Sequence, residues 1–137
     1  MENNLPVSNI NNLLSTNKSK INVFTTINDE KKVFNLESNI DKKLNDNKGI
    51  TIKVKDVFIK VIETPTDEGS LEIKKITILI DSEGISYVTA SKMFANQMIH
   101  YIETFGIETI TSKGLDIKII ERPVKGSSNK ALGFELV

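Results

Sequence analysis

Asp81, Ser82, Glu83 and Gly84 place two carboxylates, a hydroxyl and a glycine in four consecutive positions. Such a cluster could ligate a divalent cation or open a phosphate loop. An EF-hand calcium loop draws its oxygen ligands from a run of about 12 residues that ends in glutamate. This run is too short. A phosphate loop needs several glycines and a lysine leading into a helix, and Ile85-Ser86-Tyr87-Val88 follows instead. Asp at the first position and Gly at the last are what a type I turn favours. The four residues read as the bend of a hairpin.

His100 is the single histidine, and cysteine is absent. Thiol catalysis, disulfides and Cys- or His-cluster zinc sites are therefore excluded. A histidine base would need a carboxylate partner and a nucleophile. Glu103, three residues on, would merely pair with His100 on a helix surface. Asp67, Glu68, Glu72, Asp81 and Glu83 show no paired metal-ligand spacing. The chain reads as non-catalytic, with no metal and no cofactor.

Binding chemistry is better supplied. Single-stranded nucleic acid is held by aromatics that stack on bases and by cations that follow the phosphates. Phe58 and Tyr87 lie on predicted strands beside polar positions, and Phe58 is out of phase with Val57, Ile59 and Val61. Both rings could equally fill a core. Lys53, Lys55, Lys60, Lys74 and Lys75 occupy polar strand positions, Lys118 lies on a later strand, and Arg122, Lys125 and Lys130 lie in or beside a basic loop. The bland reading of strand lysines is edge protection. Net charge is zero, from 18 basic and 18 acidic residues, which argues against a strongly cationic binder. The distribution is uneven, however: residues 81–110 sum to −3 and residues 111–137 to +2.

The elements that must position these residues follow from periodicity. Residues 1–20, rich in Asn and Ser, read as a flexible arm ahead of a single domain spanning 21–137. INVFTTI (21–27) reads as a strand, followed by short helical turns capped by Asn28 and Ser38. From Ile50 the period is two. Ile50, Ile52 and Val54 alternate, then Val57, Ile59 and Val61 take the opposite parity, so a bulge near Asp56 is expected. A second slip at Lys74-Lys75 predicts the same device again. In SKMFANQMIHYIETFG (91–106), Met93, Phe94, Gln97, Met98, Tyr101, Ile102 and Phe105 form a helical stripe, with Ser91 or Thr89 as cap and Gly106 as stop. Phe94, Tyr101, Phe105 and Phe134 are expected in the core. LDIKIIE (115–121) and ALGFELV (131–137) close the chain as strands. The order from Ile50 is β-β-β-α-β-β, that of an OB-like five-stranded barrel with a long, bent first strand. The fold class is mainly β, with an N-terminal extension that adds a strand and short helical turns.

The segments VFTTINDEKKVFN, GITIKVKDVFIKVIE, ITILIDSEGISYVTAS, FG and LDIKIIERPVKGSSNKALGFELV together resemble a family of small single-stranded DNA-binding-like proteins of phages, plasmids and conjugative elements of low-GC Gram-positive bacteria. The resemblance implies an OB-like binder of single-stranded DNA with little sequence preference. It would act in the cytoplasm of a bacterial host, supporting replication or transfer of a phage or mobile element. It implies no individual contact residues, and IETITSKG stands after FG where that family often carries Pro and Trp. A homo-oligomer or a replication or transfer protein is a further expected partner. The rival expectation is a protein-interaction or structural subunit of a phage or plasmid assembly, and the zero net charge favours it. No apolar run approaches the roughly 18 residues of a membrane span.

Overall fold

The computed structural model describes residues 19–126 and 128–137. Most of the expected arm therefore lies outside the described residues. Its last two residues are built in: the Ser19 hydroxyl lies 2.9 Å from that of Thr64, and Lys20 begins the first strand.

The elements run β1 (Lys20–Thr25), α1 (Glu30–Leu36), β2 (Lys42–Lys43), a 3-10 turn (Leu44–Asp46), β3 (Thr51–Pro65), β4 (Leu71–Asp81), β5 (Ser86–Thr89), α2 (Lys92–Phe105), a π-helical turn (Thr109–Lys113), β6 (Leu115–Pro123) and β7 (Lys130–Leu136). The strands form one sheet, ordered β2-β5-β4-β3-β6-β7, with β1 beside β3. The molecule is mainly β, and the sheet curls into a half-barrel.

The spine is β3, and its bend comes from the parity slip. Val54 lies opposite Asp81 and Asp56 opposite Ile80, so Lys55 is the extra residue of a bulge. The slip keeps Ile52, Val54, Val57 and Ile59 in one core although their numbers change parity. Thr26 pins the bulge: its hydroxyl donates to Asp56 Oδ1 at 2.9 Å and accepts from the Val57 amide at 3.0 Å. On the edge away from β4, the near half of β3 (Thr51–Val54) pairs with β6 and the far half (Phe58–Glu63) pairs with β1. One bent strand thereby serves two neighbours.

The second expected bulge is absent. The β3–β4 register is continuous from Asp56–Ile80 to Pro65–Leu71. The slip at Lys74-Lys75 marks a strand buried on both faces instead, with Leu79 in the main core and Ile78 and Ile80 in a second one. The N-terminal extension builds that second core by laying Ile27 and Leu36 over the sheet. Asp29, rather than Asn28, caps α1 through the amides of Lys31 and Lys32. Where Ser38 was expected to cap a second helical turn, the chain forms β2, parallel to β5, and the 3-10 turn.

The open side of the half-barrel is filled by α2, with Phe94, Ala95, Met98 and Tyr101 buried. Its side chains bond the free edge of β7. Ser91 Oγ donates to the Leu132 carbonyl at 2.7 Å, Gln97 Nε2 donates to the Phe134 carbonyl at 3.0 Å, and Gln97 Oε1 accepts from the Phe134 amide at 2.9 Å. Among the described residues β7 pairs with no strand other than β6, and the outer neighbour of β5 is β2. A helix thus satisfies the edge that a closing strand would otherwise occupy. Ser91 caps α2 by accepting from the Phe94 amide at 3.1 Å, and Gly106, at φ 81°, ends it. Among the described residues no helix is long and apolar enough to cross a membrane.

Candidate functional site

The Asp81 side chain is spent on closing the turn and on Tyr87. Asp81 Oδ1 accepts from the amides of Glu83 and Ile85, each at 2.9 Å, and the Gly84 amide donates to the Asp81 carbonyl at 3.0 Å. Gly84 sits at φ 85°, where a side chain would be strained. The second carboxylate oxygen accepts from the Tyr87 hydroxyl at 3.2 Å. Burial first, and then Asp81, pushes the Tyr87 phenol above its ordinary pKa. Among the described residues no group of three or more His, Asp or Glu side chains is placed to hold a metal ion.

Neither expected stacking ring is open to a ligand. Phe58 is 3% exposed and lies in the second core against Ile27, Leu36, Ile78 and Ile80. Its phase did point it away from Val57 and Ile59, but α1 covers that face. Tyr87 is 6% exposed and packs in the main core. Phe105 departs from expectation in the other direction: placed in the core by the stripe, it is 65% exposed.

The strand cations are dispersed and mostly engaged. Lys53 pairs with Asp116 at 3.1 Å, Lys60 with Glu37 at 3.0 Å, and Lys55 Nζ donates to the Ser112 carbonyl at 3.1 Å. Lys74 is exposed opposite Ile62, on the face that α1 partly covers, and Lys118 is exposed opposite Glu135. Lys75 turns toward α2 and donates to Asn96 Oδ1 at 2.5 Å. Arg122 Nη2 donates to the Phe134 carbonyl at 3.3 Å, and Lys125 and Lys130 are exposed beside the β6–β7 turn.

One groove does bring two lysines together. A groove of about 860 Å³ runs between the first half of α2 and the β6–β7 hairpin. Lys92, Lys130 and His100 line it together with Asn45, Asn96 and Gln97, and no carboxylate is among its lining residues. Lys92, Asn96 and His100 recur at intervals of four, which places them on one face of α2. The α2–β7 bonds through Ser91 and Gln97 fix the two walls against each other. Of the expected cations only Lys130 lines this groove. Lys125 lies on the same loop, Arg122 lines a neighbouring groove, and Lys75 reaches the Asn96 wall. Sequence reasoning missed Lys92 and placed His100 at the surface without a role. The four-residue spacing Lys92-Asn96-His100 was the available signal.

Comparison of the chain with protein-family models, with curated proteins and with solved structures finds no match.

Proposed function

We propose that the protein is a non-catalytic, OB-like binder of single-stranded DNA with little sequence preference, and that the strand lies in the groove between α2 and the β6–β7 hairpin. The carrying observation is the lining itself: Lys92 and Lys130 face an open groove that contains no carboxylate, in a chain whose net charge is zero. An anionic backbone would meet two lysines there, while Asn45 and Asn96 offer amide N–H groups to sugar and phosphate oxygens. The β-β-β-α-β-β order and the bent β3 support the OB-like reading, in which α2 takes the place of strand closure between β5 and β7. The resemblance to DNA-binding-like proteins of phages and mobile elements supports a role in replication or transfer.

The test is fluorescence polarisation with a labelled, unstructured oligonucleotide of about 30 bases, since one OB unit covers roughly 4–16 nucleotides. The expected result is binding at low salt that weakens as salt rises. The Lys92→Ala/Lys130→Ala variant is expected to bind more weakly, with a salt slope reduced by roughly 0.7 for each lost contact. Undetectable binding at low salt would overturn the proposal.

A second reading, a protein-interaction or structural subunit of a phage or plasmid assembly, is favoured by a separate observation. An apolar groove of about 360 Å³ lies between β1 and α2, lined by Val23, Phe24, Ile59, Val61, Ile99 and Ile102. Absence of DNA binding would give that reading precedence.

A further inference from the structure

We propose that Phe105 is a base-stacking platform, reached by a strand that leaves the lysine-lined groove along α2; this rests on the nucleic-acid reading above. Phe105 closes the apolar stripe of α2 yet is 65% exposed, whereas Tyr101, one turn earlier, is 9% exposed. The two rings lie 5.1 Å apart at 43°, so Tyr101 braces one side of Phe105 while most of its ring remains open to solvent. Phe105 lines a second groove, of about 280 Å³, with His100, Arg122 and Leu136.

Two features connect this groove to the first. Gln97 and His100 line both, so the grooves adjoin on one side of α2. Phe105 lies thirteen positions after Lys92, about 20 Å along a helix axis and room for several nucleotides. Arg122 and His100 line this second groove with the ring, and Glu135 is the sole carboxylate among its lining residues. A base on Phe105 would carry its phosphate past His100 toward Lys92 and Lys130. An exposed phenyl ring that adjoins a lysine-lined groove has the make-up of a single-strand stacking site.

The chain has no tryptophan, so Phe105→Trp introduces a background-free emission signal. The full chain carrying this change is titrated with a thymidine oligonucleotide of about 30 bases. The expected results are quenched emission and wild-type-like affinity. Phe34→Trp, at a position 85% exposed on α1, is expected to show no quenching. Phe105→Ala is expected to weaken binding about 5- to 100-fold with an unchanged salt slope. An abasic oligonucleotide should bind wild type and Phe105→Ala equally. Circular dichroism and Tm close to wild type are expected for both Phe105 variants, because the ring is largely outside the core. Unquenched Phe105→Trp emission, or unchanged affinity in Phe105→Ala, with wild-type binding intact, overturns the stacking proposal and leaves the phosphate groove standing. Failure of wild type to bind at low salt overturns the nucleic-acid reading and the stacking proposal with it.

Discussion

A single amide, Gln97, takes the part of a missing strand. Its oxygen and nitrogen serve the amide and the carbonyl of Phe134, a residue only 4% exposed. A leucine of similar size would leave a buried N–H without its acceptor, a loss of about 1–3 kcal/mol. Gln97→Leu is therefore expected to lower the urea midpoint with an unchanged m-value, and an unshifted midpoint would show that the amide clamp contributes nothing. Gly133 belongs to the same device, since a Cβ there would collide with Gln97 Oε1. Asp41 is a second fastening. Its Oδ2 accepts from the Ser86 amide at 2.9 Å and from the Ser86 hydroxyl at 3.1 Å, and these bonds, the amide first, hold the carboxyl below its ordinary pKa. A lowered native pKa means stability that is complete above the ordinary aspartate value and is lost as pH falls through the native one. Glu121, lowered by its bond to Lys48, acts in the same direction. On acidification below about pH 4, Asp41→Asn should lose less stability than wild type. Urea midpoints across that range are the measurement, and parallel curves would refute the linkage.

At the scale of elements, parity was legible where a strand has one buried face and misleading where it has two. The slip at Lys55-Asp56 marks a real bulge, because Ile52 and Val54 before it and Val57 and Ile59 after it must reach one core. The slip at Lys74-Lys75 marks none, because the far side of β4 meets α1. That covering comes from residues more than 40 positions away in sequence, such as Leu36 against Ile78, and local pattern does not report it. For the same reason the pattern left Phe58 open between stacking and core, and the structure buries it. The stripe on α2 named Phe94, Met98 and Tyr101 correctly, but it ran past the end of the core at Phe105 and missed Ala95. Ile110, fully buried in the π-helical turn, lies in a segment without periodicity and was not identified. Of the candidate site, Lys130 was legible by type and loop position, while the groove needed α2 docked on β7. The bulge itself offers an element-scale test. Thr26→Val keeps the side-chain shape and removes both hydroxyl bonds, stranding the amide of fully buried Val57. A destabilisation of about 1–3 kcal/mol is expected by chemical denaturation. No change would mean that the bulge is held by strand pairing alone.

For the whole molecule, the decisive quantity is where charge sits rather than how much there is. A chain with 18 positive and 18 negative groups has no long-range cationic field to draw DNA to its entire surface. Many of its lysines are already engaged, as in Lys48–Glu121, Lys53–Asp116 and Lys60–Glu37. Binding should therefore depend on a few local contacts: Lys92 and Lys130 in the groove, with Arg122 in the adjoining groove and Lys125 exposed on the β6–β7 turn. Four phosphate contacts on a single strand imply a slope of log K against log salt of about −3. A strongly basic binder with twice as many contacts would be near −6. Duplex DNA cannot offer unstacked bases to Phe105, so it should bind more weakly than the single strand at every salt concentration. Its slope would approach −0.9 for each contact it does make. Polarisation titrations of both forms from low to moderate salt measure the two slopes and the affinity order together. A slope much steeper than −3 would mean that cations outside the groove also carry the strand. Equal affinity for duplex and single strand would show that bases play no part.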